Sequence, residues 1–405
     1  MLPANLNDLT PEHIQGLIDS EVAEGLSLEL KQQLPAKQSE EKKEFLFDIA
    51  AMANAAGGDI IYGLVERRDD DQKATGIAES LMGLRLANVQ DEITRLSNLI
   101  KDGIAPRISG IQMTQLSCQN GDVLAIRIPK SWNRPHMVTI GSTNKFYARI
   151  GATKYLMSVD EIGRAFSEQS DLGRAIEQWR LNGTQRLSIQ NGGPVPLSSE
   201  VIFLFHVTPA ESFTRTVLDR SWKVSEAEKN HIYVPHRAAS YRYNADGFLC
   251  LGATAAENRY CGYTQIFRSG VIEYVDGNVF GPLYEGSESV IFGQEIEKQM
   301  VVCYKDALRR FRSQGQTGPV YIGFSLTGIA GKMIFSTPTT SVFHKPGILE
   351  NIFISPEVFV DITESEPSPY AKTLLPLVDA MWQVGGREGT PFMTPDGWNP
   401  FGSFP

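Results

Sequence analysis

The first part of the chain alternates short apolar runs with amphipathic stretches, in a pattern that predicts both strands and helices. The segment LSLELK, residues 26–31, has leucine at every second position, which is typical of a β-strand. Residues 39–58 begin with acidic side chains, carry an apolar stripe and end at Gly57-Gly58, which predicts a helix. The apolar run DIIYGLV, residues 59–65, predicts a buried strand directly after it.

The same pattern continues to about residue 180. Residues 89–100 predict a second amphipathic helix, and residues 110–129 predict a hairpin with its turn at Asn120-Gly121. Residues 145–151 predict another strand. A capping box at Ser158–Glu161 then predicts the start of a long helix.

The amino-acid composition changes in residues 183–200, which are rich in Gly, Pro, Asn and Ser. This segment predicts a linker between a domain of residues 1–182 and a second domain of residues 201–405. The second part has β-rich runs interrupted by helices near residues 289–314 and 370–384. The fold class expected is α+β, with an N-terminal mixed α/β domain followed by a β-rich α+β domain.

Composition and charge narrow the functions that remain. A length of 405 residues favours two domains, and no run approaches the ~20 apolar residues that cross a bilayer. No secretory signal opens the chain, so we expect a cytoplasmic protein without a membrane partner. The net charge of −9 means that any nucleic-acid role requires a local basic patch, or metal ions between acidic side chains and phosphate.

The strongest candidate chemistry lies on the LSLELK segment. Strand alternation places Leu26, Leu28 and Leu30 on one face, and Glu29 with Lys31 about 7 Å apart on the other. An acid, a spacer and a lysine on a strand suit metal-dependent phosphodiester cleavage, because the acid holds a cation and the lysine neutralises developing charge. The alternative is the solvated face of an ordinary amphipathic strand. Glu24, just before the strand, adds a second carboxylate.

Other motifs are weaker. The Gly-rich residues 54–59 follow a predicted helix and precede a strand, which favours a helix cap over a phosphate loop. Residues 328–333 do not complete a Walker A loop. The densest positive cluster, Arg309, Arg310 and Arg312, is either a solvated helix face or a contact for nucleic acid or an acidic partner.

Four segments in order resemble the Schlafen/AlbA-like domain family, often labelled divergent AAA (ATP-binding) or putative DNA-binding. They are EGLSLELK, DIAAMANAAGGDIIYGLVE, IPKSWNRPHMV and FYARIGATKYLMSVDEI. The resemblance covers about residues 10–170, the N-terminal portion of the chain. Met52 stands where the family usually has Phe.

The resemblance implies a set of site residues. The family's E-x4-E-x-K pattern falls on Glu24, Glu29 and Lys31, and the third acid on Glu66, with Asp69, Asp70 or Asp71 as alternatives. The acids would hold Mg²⁺ or Mn²⁺, and Lys31 would steady a phosphate. Two further sets match the family pattern: Asn54, Gly57 and Gly58 match its turn for structural reasons, whereas Arg134, His136, Arg149 and Lys154 match positions that would face nucleic acid.

Three functions follow from this resemblance. The first is a metal-dependent nuclease acting on structured, tRNA-like RNA or other nucleic acid, in antiviral or stress defence. The second is a non-catalytic nucleic-acid-binding or regulatory protein, and the third an ATP-binding module. The expected partner is nucleic acid, RNA before DNA, and the C-terminal domain is expected to mediate homo-oligomerisation or to bind a protein partner.

Overall fold

The structure is a computed structural model that describes most of the chain. The described residues are 2–3, 6–36, 38–85, 88–189, 192–213, 224–255, 258–314, 319–335, 347–360, 362 and 370–399. Contacts divide the chain into two compact units, Met1–Asp171 and Leu172–Pro405, called unit 1 and unit 2 below. Among the described residues, no helix combines the length and the apolar character that a membrane crossing requires.

Among its described residues, unit 1 has three complete helices and ten short strands. Its helices are α1 (Pro11–Asp19), α2 (Ser39–Asn54) and α3 (Val89–Gly103). Its strands are β1 (Leu28–Lys31), β2 (Gly57–Tyr62), β3 (Leu64–Arg68), β4 (Ala74–Leu81), β5 (Ile104–Ala105), β6 (Gln112–Cys118), β7 (Gly121–Pro129), β8 (Met137–Val138), β9 (Lys145–Ile150) and β10 (Thr153–Leu156). The predicted strands, helices and Asn120-Gly121 hairpin are all present, and a 3-10 turn (Leu6–Asp8) precedes α1.

The main sheet of unit 1 has the order β1-β2-β7-β6, with β1 parallel to β2 and the other neighbours antiparallel. One face buries Ile60 with Phe45 and Ile49 of α2, and the opposite face buries Leu30 with Ile14 of α1. The strands β10-β9-β8-β5 form a second sheet, and β3 pairs with β4 as a hairpin. Apolar side chains packed on both faces explain why the second half of β2, Ile60–Tyr62, is continuously apolar in the sequence.

The connection between α2 and β2 requires glycine. Gly57 has φ +75° and Gly58 φ +155°, and a side chain on Gly58 would lie 2.6 Å from the carbonyl oxygen of Ser27. These glycines therefore allow the strand to start immediately after the helix and close to β1. The helix-cap interpretation of this Gly-rich segment is consistent with the chain order, because a helix precedes the glycines and a strand follows them.

The helix α4 (Val159–Ser188) starts in unit 1 with the predicted capping box. The Ser158 N–H donates to Glu161 Oε2 at 2.8 Å, and the Glu161 N–H donates back to Ser158 Oγ at 3.3 Å. The helix continues to Ser188, so residues 183–188 are helical where a linker was predicted. The reason is that Leu187 is buried in an apolar cluster of unit 2, which outweighs the local Gly and Asn content. The division into domains of residues 1–182 and 201–405 stays a prediction.

Unit 2 is built on one large sheet. Its strands are β11 (Ile202–Pro209), β12 (Arg237–Asn244), β13 (Gly247–Gly252), β14 (Gly262–Phe267), β15 (Ile272–Asp276), β16 (Phe280–Pro282), β17 (Ser289–Phe292), β18 (Val320–Thr327), β19 (Ile334–Phe335), β20 (Ile352–Ile354), β21 (Val358–Val360), β22 (Met393–Thr394) and β23 (Gly397–Trp398). Its helices are α5 (Glu226–Lys229), α6 (Gly293–Ser313) and α7 (Tyr370–Val384), with a 3-10 turn at Ala210–Phe213.

The large sheet has the order β12-β13-β14-β15-β11-β18-β20, and β21 also pairs with β18. Strand β11 is buried along its whole length, because Phe203 and Phe205 pack in the cluster that includes α6 and α7, while Leu204 packs on the other side. The two helices predicted in this half are α6 and α7. Together the units confirm the α+β fold class.

Candidate nucleic-acid site

Strand β1 places Glu29 on a covered face of the sheet. Glu29 pairs in register with Ile60 of β2, whose side chain is buried against α2, and Glu29 itself is only 7% exposed. Leu30 points the other way and is fully buried, but Leu26 precedes the strand and is 43% exposed. The alternative of an ordinary solvated face is therefore wrong for Glu29, because α2 covers that face.

Two cations neutralise the Glu29 carboxylate. Lys31 Nζ lies 2.5 Å from Glu29 Oε1, and the Arg149 guanidinium forms an ion pair with Oε2. The Oε2 atom accepts no hydrogen bond despite this ion-pair contact. The Arg149 guanidinium also donates to the carbonyl oxygens of Gly25 (2.9 Å), Gly151 (3.0 Å) and Leu28 (3.3 Å). The Arg149 side chain is thus fixed in place, whereas the contacts described for the Lys31 ammonium are to side-chain carboxylates.

A buried acid on α2 joins two lysines. Asp48 is 5% exposed, and its carboxylate lies 2.8 Å from Lys154 Nζ and 3.8 Å from Lys31 Nζ. Lys154 also forms an ion pair with Glu44. Burial raises the pKa of Asp48 although both lysines oppose the shift. Burial alone would lower the pKa of Lys31, but Asp48 and Glu29 outweigh it and raise that pKa.

Sequence reasoning missed Asp48, although one signal pointed to it. On α2 the apolar positions Phe45, Ile49 and Met52 define the buried stripe, and Asp48 lies on that stripe. A carboxylate among core positions is seldom fully buried unless it is paired. An acid on the apolar face of a predicted helix is therefore a sequence-level sign of a buried ion pair.

The remaining predicted acids approach from the β3–β4 hairpin and the segment before β1. The Glu24 N–H donates to the Gly76 carbonyl of β4 at 2.7 Å, and β4 pairs with β3, where Glu66 lies opposite Ala78. Glu24 Oε1 accepts the Leu30 N–H at 2.8 Å. Burial, and then the neighbouring carboxylates Glu29 and Glu66, raise the pKa of Glu24 to about 7. Glu24, Glu29 and Glu66 therefore lie in one neighbourhood.

The alternative third acids lie elsewhere on the hairpin. Asp69, Asp70 and Asp71 are exposed in the β3–β4 turn. Asp69 Oδ1 accepts the backbone N–H groups of Asp71 (3.0 Å) and Lys73 (2.8 Å), which closes the turn. Among the four candidates, Glu66 is the one that acts on the pKa of Glu24.

The carboxylates in this arrangement do not form a metal cage. In the part of the chain that the structure describes, no group of three or more His, Cys, Asp or Glu side chains converges as metal ligands. The reason is visible at two residues, because Glu29 faces two cations and Glu24 accepts a backbone N–H. The donor set is chemically suited to Mg²⁺ or Mn²⁺, which prefer carboxylate oxygens, but Glu29 as placed is not available to a cation.

Two of the four residues predicted to face nucleic acid are buried. His136 is fully buried, where its Nδ1–H donates to the Pro106 carbonyl (2.7 Å) and Nε2 accepts from the Ser131 hydroxyl (2.6 Å). Arg149 is 3% exposed and paired with Glu29. Neither side chain can contact nucleic acid in this arrangement, and both have structural roles.

The other two keep accessible surface. The Arg134 side chain is 24% exposed, donates to the Asn54 carbonyl oxygen (3.0 Å) and forms an ion pair with Glu168. The Lys154 side chain is 26% exposed. The prediction that nucleic acid contacts Arg134 and Lys154 stays a prediction. In unit 2, the predicted basic cluster is divided: Arg310 is buried against Glu228, whereas Arg309, which pairs with Asp306, and Arg312 are exposed.

The buried His136 predicts a pH dependence of stability. Burial lowers the pKa of His136 to about 4, against an ordinary value of 6.5. The unfolded chain takes up a proton below about pH 6.5, but the folded chain does not. The contribution of the buried, neutral His136 to stability is therefore fully present above pH 6.5 and is lost as the pH falls towards 4. At pH 5 the loss amounts to about 2 kcal/mol relative to pH 7.5.

Urea unfolding at pH 7.5 and pH 5 checks this expectation with wild type and His136→Asn. The raised pKa of Glu24 acts in the opposite direction over the same pH range, so the informative quantity is the difference between wild type and variant. We expect the stability advantage of wild type to shrink on acidification. An advantage that is constant between the two pH values would contradict the assignment.

Comparison with known proteins agrees with this description of unit 1. Residues 24–158 match the family model for Schlafen, AlbA_2. The matched range includes Glu24, Glu29, Lys31, Asp48 and Glu66. The predicted resemblance is thus confirmed for the N-terminal portion of the chain. None of the curated proteins compared with the chain matches it.

Two solved structures also align with part of the chain. One is the crystal structure of a protein from Corynebacterium diphtheriae, with 16% identity and a TM-score of 0.24, covering 36% of this chain and 29% of that one. The other is the solution structure of the N-terminal domain of a RecG-related, ATP-dependent DNA helicase-like protein from Nitrosomonas europaea. It has 17% identity and a TM-score of 0.26, and the alignment covers 36% of this chain and 92% of that domain. The chain spans less than a third of the Corynebacterium protein it matches.

Proposed function

We propose that unit 1 binds nucleic acid and cleaves it in a reaction that depends on a divalent cation. Its substrate would be structured, tRNA-like RNA in preference to DNA, in a defence or stress response. The match of residues 24–158 with the Schlafen, AlbA_2 family supports a function related to nucleic acid.

The charge balance of the site carries the proposal. Five carboxylates surround three cations, which leaves two negative charges when all are ionised; the acids are Glu24, Glu29, Glu44, Asp48 and Glu66, and the cations are Lys31, Arg149 and Lys154. A phosphodiester backbone is itself negative, so it enters such a site only with an additional cation. The raised pKa of Glu24 agrees with this argument in part: burial raises it first, and the negative charges of Glu29 and Glu66 raise it further.

The residues divide into two roles under this proposal. Glu24 and Glu66 would hold the cation, which when bound polarises the phosphate and activates water. Lys31 and Arg149 both contact Glu29, and Lys31 is the more exposed of the two. Lys31 would bind a phosphate oxygen and neutralise its developing charge. Glu29 and Asp48 hold the two lysines in position.

Incubation of purified protein with tRNA and Mn²⁺ tests the proposal. We expect wild type to cleave the tRNA and Glu66→Gln to be slower by about 100-fold or more, the usual effect of removing one group that stabilises the transition state. Glu66 is the suitable position, since its half-exposed side chain takes part in none of the ion pairs around Glu29. Glu79→Gln is the matched control, because Glu79 is exposed on the same hairpin. Equal cleavage by wild type and Glu66→Gln would refute the catalytic assignment.

One observation favours a second function, which is nucleic-acid binding without cleavage. Glu29 is already neutralised by Lys31 and Arg149, and the described residues contain no converged metal cluster. This function predicts salt-sensitive binding without turnover, unchanged in Glu66→Gln. An ATP-binding module is the weakest of the three candidates, because the glycines at 57–58 precede a strand and so lack the helix N-terminus that binds phosphates.

A further inference from the structure

The exposed face of α6 in unit 2 carries positive charge along most of the helix. The exposed residues of α6 are Lys298, Lys305, Arg309, Arg312 and the terminal Ser313. At 3.6 residues per turn, the four cations lie within about 60° of one another around the helix axis and extend over about 21 Å. These four residues are called the α6 stripe below. The α6 stripe is opposite in sign to the chain as a whole, whose net charge is −9.

Only part of this positive charge is neutralised by acids. Lys298 Nζ lies 3.1 Å from Glu295, and the Arg309 guanidinium lies 2.5 Å from Asp306. The two acids of the adjoining helix α5 are each paired with a cation outside the α6 stripe. In the part of the chain that the structure describes, the other two cations of the α6 stripe form no ion pair with an acid. Two positive charges therefore remain available on this face.

Stabilisation of the helix itself accounts for only part of the α6 stripe. A cation in the last turn of a helix interacts favourably with the helix dipole, and Arg312 lies in that turn. Lys298 and Lys305 lie further back, where this effect has faded. Lys305 Nζ lies 4.0 Å from the centre of the Tyr370 ring, which orients the ammonium without neutralising its charge. The helix therefore presents more positive charge than its own stability requires.

A groove of about 590 Å³ borders the α6 stripe. Residues 230–234 line it on one side, and Val302, Lys305, Asp306 and Arg309 line it on the other. The Arg309 guanidinium joins the two sides, because it also donates to a carbonyl oxygen of the segment 230–234. Grooves of this volume are of the size that holds small-molecule ligands. Two cations of the α6 stripe thus stand beside a space that accommodates one nucleotide.

We propose that the α6 stripe binds the phosphate backbone of a nucleic-acid strand, with one nucleotide in the adjoining groove. Successive phosphates of a strand in a duplex are about 3.4 Å apart along the axis, so a length of about 21 Å spans about six of them. Each cation of the α6 stripe can therefore contact a different phosphate. The surface belongs to unit 2 and lies outside the candidate site of unit 1.

The charge of unit 1 favours nucleic acid as the occupant. Carboxylates outnumber cations at the candidate site of unit 1, whereas phosphate contacts provide most of the affinity for nucleic acid. A chain that acts on nucleic acid through such a site needs positive charge elsewhere, and the α6 stripe supplies it. The choice of nucleic acid over an acidic protein rests on the proposed function, but the positive charge and the groove do not.

Fluorescence anisotropy of the full chain with a labelled single-stranded RNA of about 12 nucleotides tests the proposal. EDTA in the buffer keeps the RNA intact. The double variant Lys305→Gln/Arg312→Gln removes the two cations of the α6 stripe that pair with no acid among the described residues. Each phosphate contact on a single strand contributes about 0.7 to the salt dependence, so we expect the slope of log K against log salt concentration to fall by about 1.4. At about 0.1 M salt the affinity should fall by about 20-fold.

A matched control removes the same charge elsewhere in unit 2. Arg242 and Arg268 are exposed at the β12–β14 end of the large sheet, and we expect Arg242→Gln/Arg268→Gln to change the affinity by less than about 3-fold. The exchange variant Lys305→Arg/Arg312→Lys keeps both charges and should keep the affinity. Far-UV circular dichroism checks that every variant is folded, as expected for exposed positions. A polyglutamate peptide of the same charge as the RNA serves as the competitor.

The outcomes separate this surface from the proposed function of unit 1. Equal RNA affinities and salt slopes for wild type and Lys305→Gln/Arg312→Gln would overturn the proposal, and so would an equal loss in the matched control. Polyglutamate that displaces the RNA at equal concentration would assign the α6 stripe to acidic proteins instead. Cleavage is measured separately with Mn²⁺: RNA bound through the α6 stripe but left uncut supports this surface and contradicts the nuclease, whereas cleavage with unchanged affinity in the double variant does the reverse.

Discussion

Replacing Glu29 by Gln is expected to destabilise unit 1 by about 3 to 5 kcal/mol, the cost of breaking a buried ion pair. The Arg149 side chain is 1% exposed, and its ion pair with Glu29 balances its charge. A neutral residue at position 29 leaves that guanidinium buried without a compensating carboxylate. The loss of the Lys31 contact adds little, because Lys31 is partly exposed and remains near Asp48.

Urea unfolding followed by far-UV circular dichroism measures this effect. Glu66→Gln is the control, since Glu66 is half-exposed, and we expect it to change stability by less than about 1 kcal/mol. The double variant Glu29→Gln/Arg149→Met removes both charges and should recover a large part of the loss. A Glu29→Gln protein as stable as wild type would show that Arg149 does not depend on Glu29.

This prediction affects how cleavage experiments are interpreted. A Glu29 variant that fails to cleave RNA does not identify a catalytic residue, because loss of folding explains the same result. Variants at Glu66 and Lys31 avoid this ambiguity, since both side chains are partly exposed and neither leaves a buried charge. Assignments in sites of this kind are therefore best tested first at the accessible residues.

Replacing Asn54 by Ala is expected to cost about 3 to 4 kcal/mol, because it leaves several buried backbone groups without partners. Asn54 is 4% exposed at the end of α2. Its Oδ1 accepts the His136 N–H at 2.7 Å, and its Nδ2 donates to the carbonyl oxygens of His136 (3.0 Å) and Tyr147 (2.8 Å). One side chain thus connects the helix to the segments that precede β8 and form β9.

Thermal and urea unfolding of Asn54→Ala checks this value against Asn88→Ala. Asn88 caps α3 by accepting the N–H groups of Gln90 (3.0 Å) and Asp91 (3.4 Å), and its loss should cost only about 1 kcal/mol. The difference between the two variants measures the effect of burial on otherwise similar asparagine hydrogen bonds. Equal destabilisation would mean that the groups around Asn54 find other partners.

Much of unit 1 could be predicted from local pattern. Alternation identified β1, the Asn120-Gly121 turn identified the β6–β7 hairpin, and Ser158 with Glu161 identified the start of α4. Each of these signals involves residues close together in the sequence, so it can be recognised without knowledge of the tertiary structure. Alternation did not predict which face of β1 meets solvent, because that depends on the position of α2.

The candidate site, too, could be predicted only in part from the sequence. Spacing singled out Glu24, Glu29 and Lys31, but it could not reveal the ion pair of Glu29 with Arg149, which lies 120 residues away in the sequence. The family resemblance placed His136 among residues facing nucleic acid, whereas His136 is fully buried. Polar residue types alone do not distinguish a surface contact from a satisfied core hydrogen bond.

By itself the sequence determined the α+β class, most helices and strands of both units, and the resemblance of its N-terminal portion to the Schlafen/AlbA-like family. These features depend on residue periodicity, turn chemistry and motif order, all of which can be recognised from the sequence alone. Only the tertiary structure decided that Glu29 is buried between Lys31 and Arg149, and that Asp48 of α2 joins Lys31 to Lys154. The physical reason is that the charge state and accessibility of an ionisable group depend on neighbours brought close by packing, and these neighbours lie far apart in the sequence.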